Sequence, residues 1–208
     1  MSLLPCPKWV TDDPSKLPVI AQAASAIYDF FTRQNPKGYI LGYGDLKEWH
    51  RKLFTKVVPV PYYAGNFRGT DKAKPCLDTP IYVANIPGAA AKDVEAEMKA
   101  FSEQLDKAIR NTDEYVAKNI SSIAKLQAAA QLAAYAGGSV IKIHPFINGN
   151  GRVARLTMNF ILHRYLGKTP FFIDRPSHPD YSTASALVMR DGNYVPLYQY
   201  LVEILAFS

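Results

Sequence analysis

The sequence predicts a mainly α-helical fold in one domain, and three observations point there. Apolar residues recur three or four apart in several separate segments. Residues 121–140 are unusually rich in alanine, which lets helices approach closely. Residues 153–165 are apolar on nearly every side, as in a helix buried in the middle of a bundle. At 208 residues the chain lies a little above the commonest domain size of about 100 to 150 residues, which favours one domain over two.

The first helix is expected where Ile20, Ala24, Ile27 and Phe31 recur, closed by the breakers Pro36 and Gly38. A second should follow Asp45 as N-cap, with Leu46, Trp49, Leu53 and Phe54 on one stripe and His50 beside it as a packing or capping histidine. Residues 57–85 carry Pro59, Pro61, Pro75 and Pro80 among β-branched and aromatic residues. They read as a long loop with a short hairpin whose best strand is 81–84. Residues 89–109 form an amphipathic helix on Val94, Met98, Phe101, Leu105 and Ile109. The alanine-rich helix should end near Gly137 and Gly138. The apolar helix 153–165 follows it, then two more over 182–189 and 196–206.

Composition excludes several functions. A net charge of +6 would attract phosphate-bearing partners, but no run exceeds two adjacent basic residues, so nucleic acid is not the expected partner. No window approaches the roughly 20 apolar residues that span a bilayer, and no signal peptide is visible. A membrane is therefore not expected to be a partner. Cys6 and Cys76 read as two reduced thiols in a cytoplasm, that of a bacterium, with delivery as an effector by a specialised secretion system left open.

The chemistry concentrates between the two most buried helices, in His144, Pro145, Phe146, Ile147, Asn148, Gly149, Asn150, Gly151, Arg152, Val153, Ala154 and Arg155. Glycines on either side of Asn150 free the backbone just before a helix. The amides of Gly149, Asn150 and Gly151 can then point into one concavity at the helix's positive end, a phosphate site. Arg152 and Arg155, three apart, would hold a polyphosphate between two guanidinium forks. His144 could act as general base on an incoming hydroxyl, with Pro145 as a rigid turn and Phe146 as an apolar anchor for the loop.

This stretch resembles the motif of the Fic (filamentation induced by cAMP) family, which reads His, Pro, Phe, any, Asp or Glu, Gly, Asn, Gly, Arg, any, any, Arg. Eight of its nine specified positions match. His50, Leu53, Phe54, Ala64, Gly65, Asn66, Phe67 and Arg68 resemble the family's upstream segment, and Ala186, Leu187, Gly192, Tyr194, Pro196 and Leu197 its closing helices. The resemblance covers about 45–205 as a core within a single domain of 1–208, and leaves 1–40 as an N-terminal helical extension. It implies a helical bundle around a central helix-loop-helix. It also implies a β-hairpin flap in which Ile81, Tyr82 and Val83 dock a target protein. The implied activity is transfer of AMP from ATP, with Mg²⁺, to a Ser, Thr or Tyr hydroxyl, some members transferring UMP, GMP, phosphocholine or phosphate instead.

One motif position departs: Asn148 stands where the family has the carboxylate that holds Mg²⁺. An amide oxygen ligates magnesium without the charge, so activity could be reduced or redirected, or the domain could bind nucleotide or protein without turnover. Family members are often held inactive by a Ser or Thr, three residues, then a Glu that pairs with the second motif arginine. None of the six glutamates here completes that pattern. Any such inhibition would come from a separate antitoxin-like protein, and Arg155 is expected to be solvated or to hold an anion.

Overall fold

The computed structural model describes residues 6–10, 12–33, 38–83, 85–171, 176 and 178–206. Seven α-helices and one β-hairpin follow in order: α1 Leu17–Arg33, α2 Tyr43–Phe54, β1 Tyr82–Val83, β2 Ile86–Pro87, α3 Val94–Ala117, α4 Ser122–Ile143, α5 Asn150–Leu166, α6 Pro179–Asp191 and α7 Val195–Ala206. Residues 34–36, expected to close the first helix, lie outside the described residues, as does Ala84 at the end of the expected strand.

The expected mainly α class holds, and the apolar stripes of α1, α2 and α3 are all buried. α2 begins earlier than expected: Gly42 is its N-cap, and Asp45 sits one turn inside. From there the Asp45 carboxylate accepts the Gly42 N–H at 2.8 Å and the Tyr39 hydroxyl proton, satisfying one of the helix's open donors by another route. The expected amphipathic helix starts at Val94, after a short 3₁₀ turn over Ala91–Asp93, and runs on to Ala117.

The core is built on α4, which contacts α3, α5, α6 and α7. Ser121 caps its start, its Oγ accepting the Ala124 N–H at 3.2 Å. Gly137 and Gly138 do not end this helix. A Cβ on Gly137 would stand 2.4 Å from Met158 Cγ and 2.9 Å from the Ala154 carbonyl, so glycine is there to let α5 close in. Gly138 gives the same room to the Tyr194 ring. The helix stops six residues later at His144, whose φ of 54° and ψ of 58° turn the chain left-handed into the loop before α5.

Cys6 and Cys76 are joined by a disulfide 70 residues apart, not held as reduced thiols. A linkage of this kind persists in oxidising surroundings or forms in answer to them. The hairpin pairs Tyr82 with Pro87 and Val83 with Ile86 in antiparallel register. It leans on the bundle through contacts of β2 with α6. Among the described residues no helix is long and apolar enough to cross a membrane.

Candidate functional site

The loop from His144 to Gly149 is folded by its own side chains. Asn150, fully buried, binds Phe146 twice: its Oδ1 accepts the Phe146 N–H and its Nδ2 donates to the Phe146 carbonyl, each at 2.8 Å. Phe146 is sealed beneath the loop, its ring stacked on His50 with centroids 3.8 Å apart. Gly149 turns left-handed at φ 80°, and a Cβ there would collide with the Phe54 ring at 2.4 Å. Phe146 is thus packed beneath the loop, and Gly149 makes its turn. The Asn150 side chain closes the loop, which leaves only its backbone N–H for an anion.

His144 keeps one cavity-lining ring at the end of α4. Its Nδ1 lies 3.2 Å from the Ile141 carbonyl, which can only accept, so Nδ1 carries the proton and Nε2 the lone pair. Burial pulls the imidazole down to about 4, opposed by the Ile141 contact and helped by the nearby Arg68 cation. The ring is therefore neutral at pH 7 and able to take a proton.

Arg68 is buried, and its guanidinium donates only to backbone carbonyls: His144 at 2.9 Å, Thr79 at 3.2 Å, Ala89 at 2.7 Å and Ile143 at 3.3 Å. A cation belongs at the carbonyl end of a helix, and this one also ties both ends of the flap to the base of His144. The Arg68 N–H donates to the Pro145 carbonyl at 2.7 Å, so the residue holds the loop on two sides.

The N–H groups of Asn150 and Gly151 open the first turn of α5, where a helix leaves its donors without internal acceptors. The third expected amide is occupied, since the Gly149 N–H donates to Asn148 Oδ1 at 2.7 Å. Arg152 lies on that first turn and Arg155 on the next, and neither is solvated, Arg155 being only 5% exposed. Arg152 pairs with Asp12, Nη2 to Oδ1 at 3.0 Å. Trp9 rests on Phe54 and Tyr63.

Magnesium does not fit the residues gathered here. Asn148 spends its Oδ1 on the Gly149 N–H and donates from Nδ2 to the Trp9 carbonyl at 2.8 Å. Among the described residues there is no group of three or more His, Cys, Asp or Glu able to hold a metal. The expected weak metal ligand is instead a fastener between loop and N-terminal segment, a job a carboxylate could not do because it has no N–H to give.

Beside the loop lies a cavity of about 320 Å³ lined by His144, Gly151 and Arg155 on one side and by Val83, Ile86 and Tyr181 on others. Its walls are mostly apolar, and Ser185 Oγ, which also lines it, is a buried hydroxyl with no hydrogen-bond partner among the described residues. Of the expected docking residues, Tyr82 is exposed, Val83 reaches the cavity, and Ile81 is partly buried, its carbonyl accepting the Gly88 N–H at 3.0 Å.

Sequence reasoning gave no role to Arg68 or Ser185 and underrated His50. The His50 Nδ1 accepts the Gly65 N–H and its Nε2–H donates to the Asn148 carbonyl, both at 2.9 Å, so the ring braces the loop backbone. The available signal was a histidine flanked by Trp49 and Leu53 on an apolar stripe, which already requires buried hydrogen-bond partners.

Fold and loop together place His144, the start of α5 and the hairpin around one cavity. Residues 40–162 match the Fic/DOC family. The chain belongs to that family. It is 30% identical over 137 residues to "Protein adenylyltransferase Fic" of Nematostella vectensis, covering 66% of this chain and 26% of that one. It is 27% identical over 159 residues to the protein of the same name in Drosophila persimilis, covering 76% and 26%. The chain thus spans about a quarter of the length of these relatives. In fold it is similar to the BepC protein of Bartonella tribocorum with bound AMPPNP, at a TM-score of 0.60 and 22% identity over 92% of this chain and 87% of that one. It is likewise similar to a Fic domain containing signaling protein of Bacteroides thetaiotaomicron, at a TM-score of 0.58 and 18% identity over 96% and 74%.

Proposed function

We propose that the chain is a protein adenylyltransferase that moves AMP from ATP to a Ser, Thr or Tyr hydroxyl of a target protein. One observation carries the reading: His144, neutral with its Nε2 lone pair unprotonated, lines the same cavity as Gly151 and Arg155 at the anion-binding start of α5. His144 Nε2 takes the proton of the target hydroxyl as its oxygen bonds to the α-phosphorus, and the bond from that phosphorus to pyrophosphate breaks. Arg152, Arg155 and the first N–H groups of α5 hold the phosphate oxygens, while the hairpin beside His144 receives the target segment.

A second reading, a domain that binds nucleotide or protein without turnover, is favoured by one specific feature: both polar ends of Asn148 are committed to backbone groups. Intact-mass analysis of the chain and of lysate proteins after incubation with ATP, with and without Mg²⁺, separates the two. Addition of one AMP per modified hydroxyl supports transfer, a different increment identifies another transferred group, and ATP binding with no mass change establishes the second reading.

A further inference from the structure

We propose that Cys6 and Cys76 form a redox-modification site whose disulfide clamps the N-terminal segment across the loop and limits access of phosphate-bearing ligands to Arg152. The proposal rests on the reading above for the identity of the ligand, but not for the clamp itself. Four attachments hold Cys6, Pro7, Trp9 and Asp12. Cys6 is bonded to Cys76, the Pro7 carbonyl accepts the Tyr63 hydroxyl at 3.3 Å, the Trp9 carbonyl accepts Asn148 Nδ2, and Asp12 pairs with Arg152.

The last attachment bears on function. Asp12 is 87% exposed and the Arg152 side chain 7%, so the carboxylate meets the guanidinium from the solvent side, the side from which a ligand must come. Carboxylate and phosphate oxygens use the same donors, so Asp12 and an incoming phosphate compete for Arg152. An ion pair with one partner so exposed holds weakly by itself. Tethering raises its local concentration and makes it an effective competitor.

The seat of the strap also needs outside help. The Trp9 ring is buried, yet its Nε1–H has no hydrogen-bond partner among the described residues, which costs free energy on docking. The covalent link offsets that cost while it lasts. Cys6 is exposed and Cys76 is buried in the turn Pro75–Leu77, so a reductant reaches the Cys6 sulfur.

A small dithiol is the co-reactant. Its thiolate attacks Cys6 Sγ and breaks the Sγ–Sγ bond, and Cys76 leaves as a thiolate that takes up a proton. The second thiol of the reductant then displaces Cys6, which is protonated in turn. Two electrons and two protons pass to the protein, and the reductant ends as its own disulfide.

The test compares the full chain purified in air, the same chain treated with a dithiol reductant, and a Cys6→Ser variant. Each is titrated calorimetrically with ATP and with inorganic triphosphate, and amide exchange is followed over residues 6–12. Reduced and Cys6→Ser chains should bind triphosphate roughly threefold to tenfold more tightly than the oxidised chain, with faster exchange in the strap. Asp12→Asn in the oxidised chain should recover part of that gain. Equal triphosphate affinity in oxidised and reduced chains overturns the proposal, as does an air-purified chain in which both thiols can be alkylated. Redox-dependent triphosphate binding with no binding of ATP in any form supports the strap and overturns the nucleotide reading.

Discussion

The imidazole of His50 lies flat on the ring of Phe146, their planes 5° from parallel, while both of its nitrogens are spent on backbone groups of two different loops. Stacking and hydrogen bonding together fix the loop before α5 from below. His50→Ala removes the ring and strands the Gly65 N–H and the Asn148 carbonyl, and should cost about 2 to 4 kcal/mol in urea unfolding. His50→Phe keeps the stack but not the hydrogen bonds, and should cost less, about 1 to 3 kcal/mol. Equal stability of the phenylalanine variant and the parent would show that the two polar contacts contribute nothing.

Replacing His144 by alanine should abolish transfer while leaving ATP affinity within a few-fold, since the ring acts on the attacking hydroxyl and not on the phosphates. A variant turning over near the parent rate removes His144 from the chemistry.

The two buried histidines also set a pH dependence. Burial holds His50 at about 3 and His144 at about 4, both below the ordinary 6.5, so the unfolded chain binds more protons than the folded one between these values. Their stabilising effect is complete above pH 6.5 and is lost as pH falls toward 4 and below. Each contributes a slope of up to about 1.4 kcal/mol per pH unit in that window. His144→Ala should flatten the fall in unfolding free energy between pH 6.5 and 4, and the acid limb of kcat/KM in the parent should lie near 4. An acid limb near 6.5 would contradict the burial of this ring.

Asn148→Asp exchanges an N–H that the Trp9 carbonyl accepts for an oxygen that repels it. The strap should loosen by about 1 to 3 kcal/mol, read as faster proteolysis before Leu17. The freed carboxylate should also make ATP binding depend more steeply on Mg²⁺ than in the parent. A magnesium titration that leaves both proteins unchanged would show that charge at this position is not what separates them.

What could be read from the sequence was what local periodicity and spacing encode. The stripes of α1, α2 and α3, the buried character of α5 and the cluster of His144, Gly149, Gly151, Arg152 and Arg155 needed only the order of residues. Gly137 and Gly138 misled because a glycine pair signals a helix end in one dimension, whereas here it makes room for Met158 and Tyr194 from other helices. The partners of Cys6, Trp9 and Asp12 lie 70 or more residues away, except those of Trp9 on α2 and Tyr63. No period or spacing announces such contacts. The hydrogen bond from the Asn148 side chain is hidden in the sequence for the same reason, because the carbonyl it binds belongs to that distant segment.

The intimate pairing of α4 with α5, made possible by Gly137, has a consequence for the order in which the molecule assembles. These helices are adjacent in the chain, joined by only the loop from His144 to Gly149, so their contacts close at little entropic cost, whereas the strap and the Cys6–Cys76 bond close a span of 70 residues. The helical hairpin should therefore be structured in the folding transition state, with the N-terminal segment still loose. Gly137→Ala, which crowds Met158, should chiefly slow refolding of the reduced chain, and Trp9→Ala should chiefly speed its unfolding. The loop before α5 would then be built first and covered last, the N-terminal segment settling over it only as the Cys6–Cys76 bond forms.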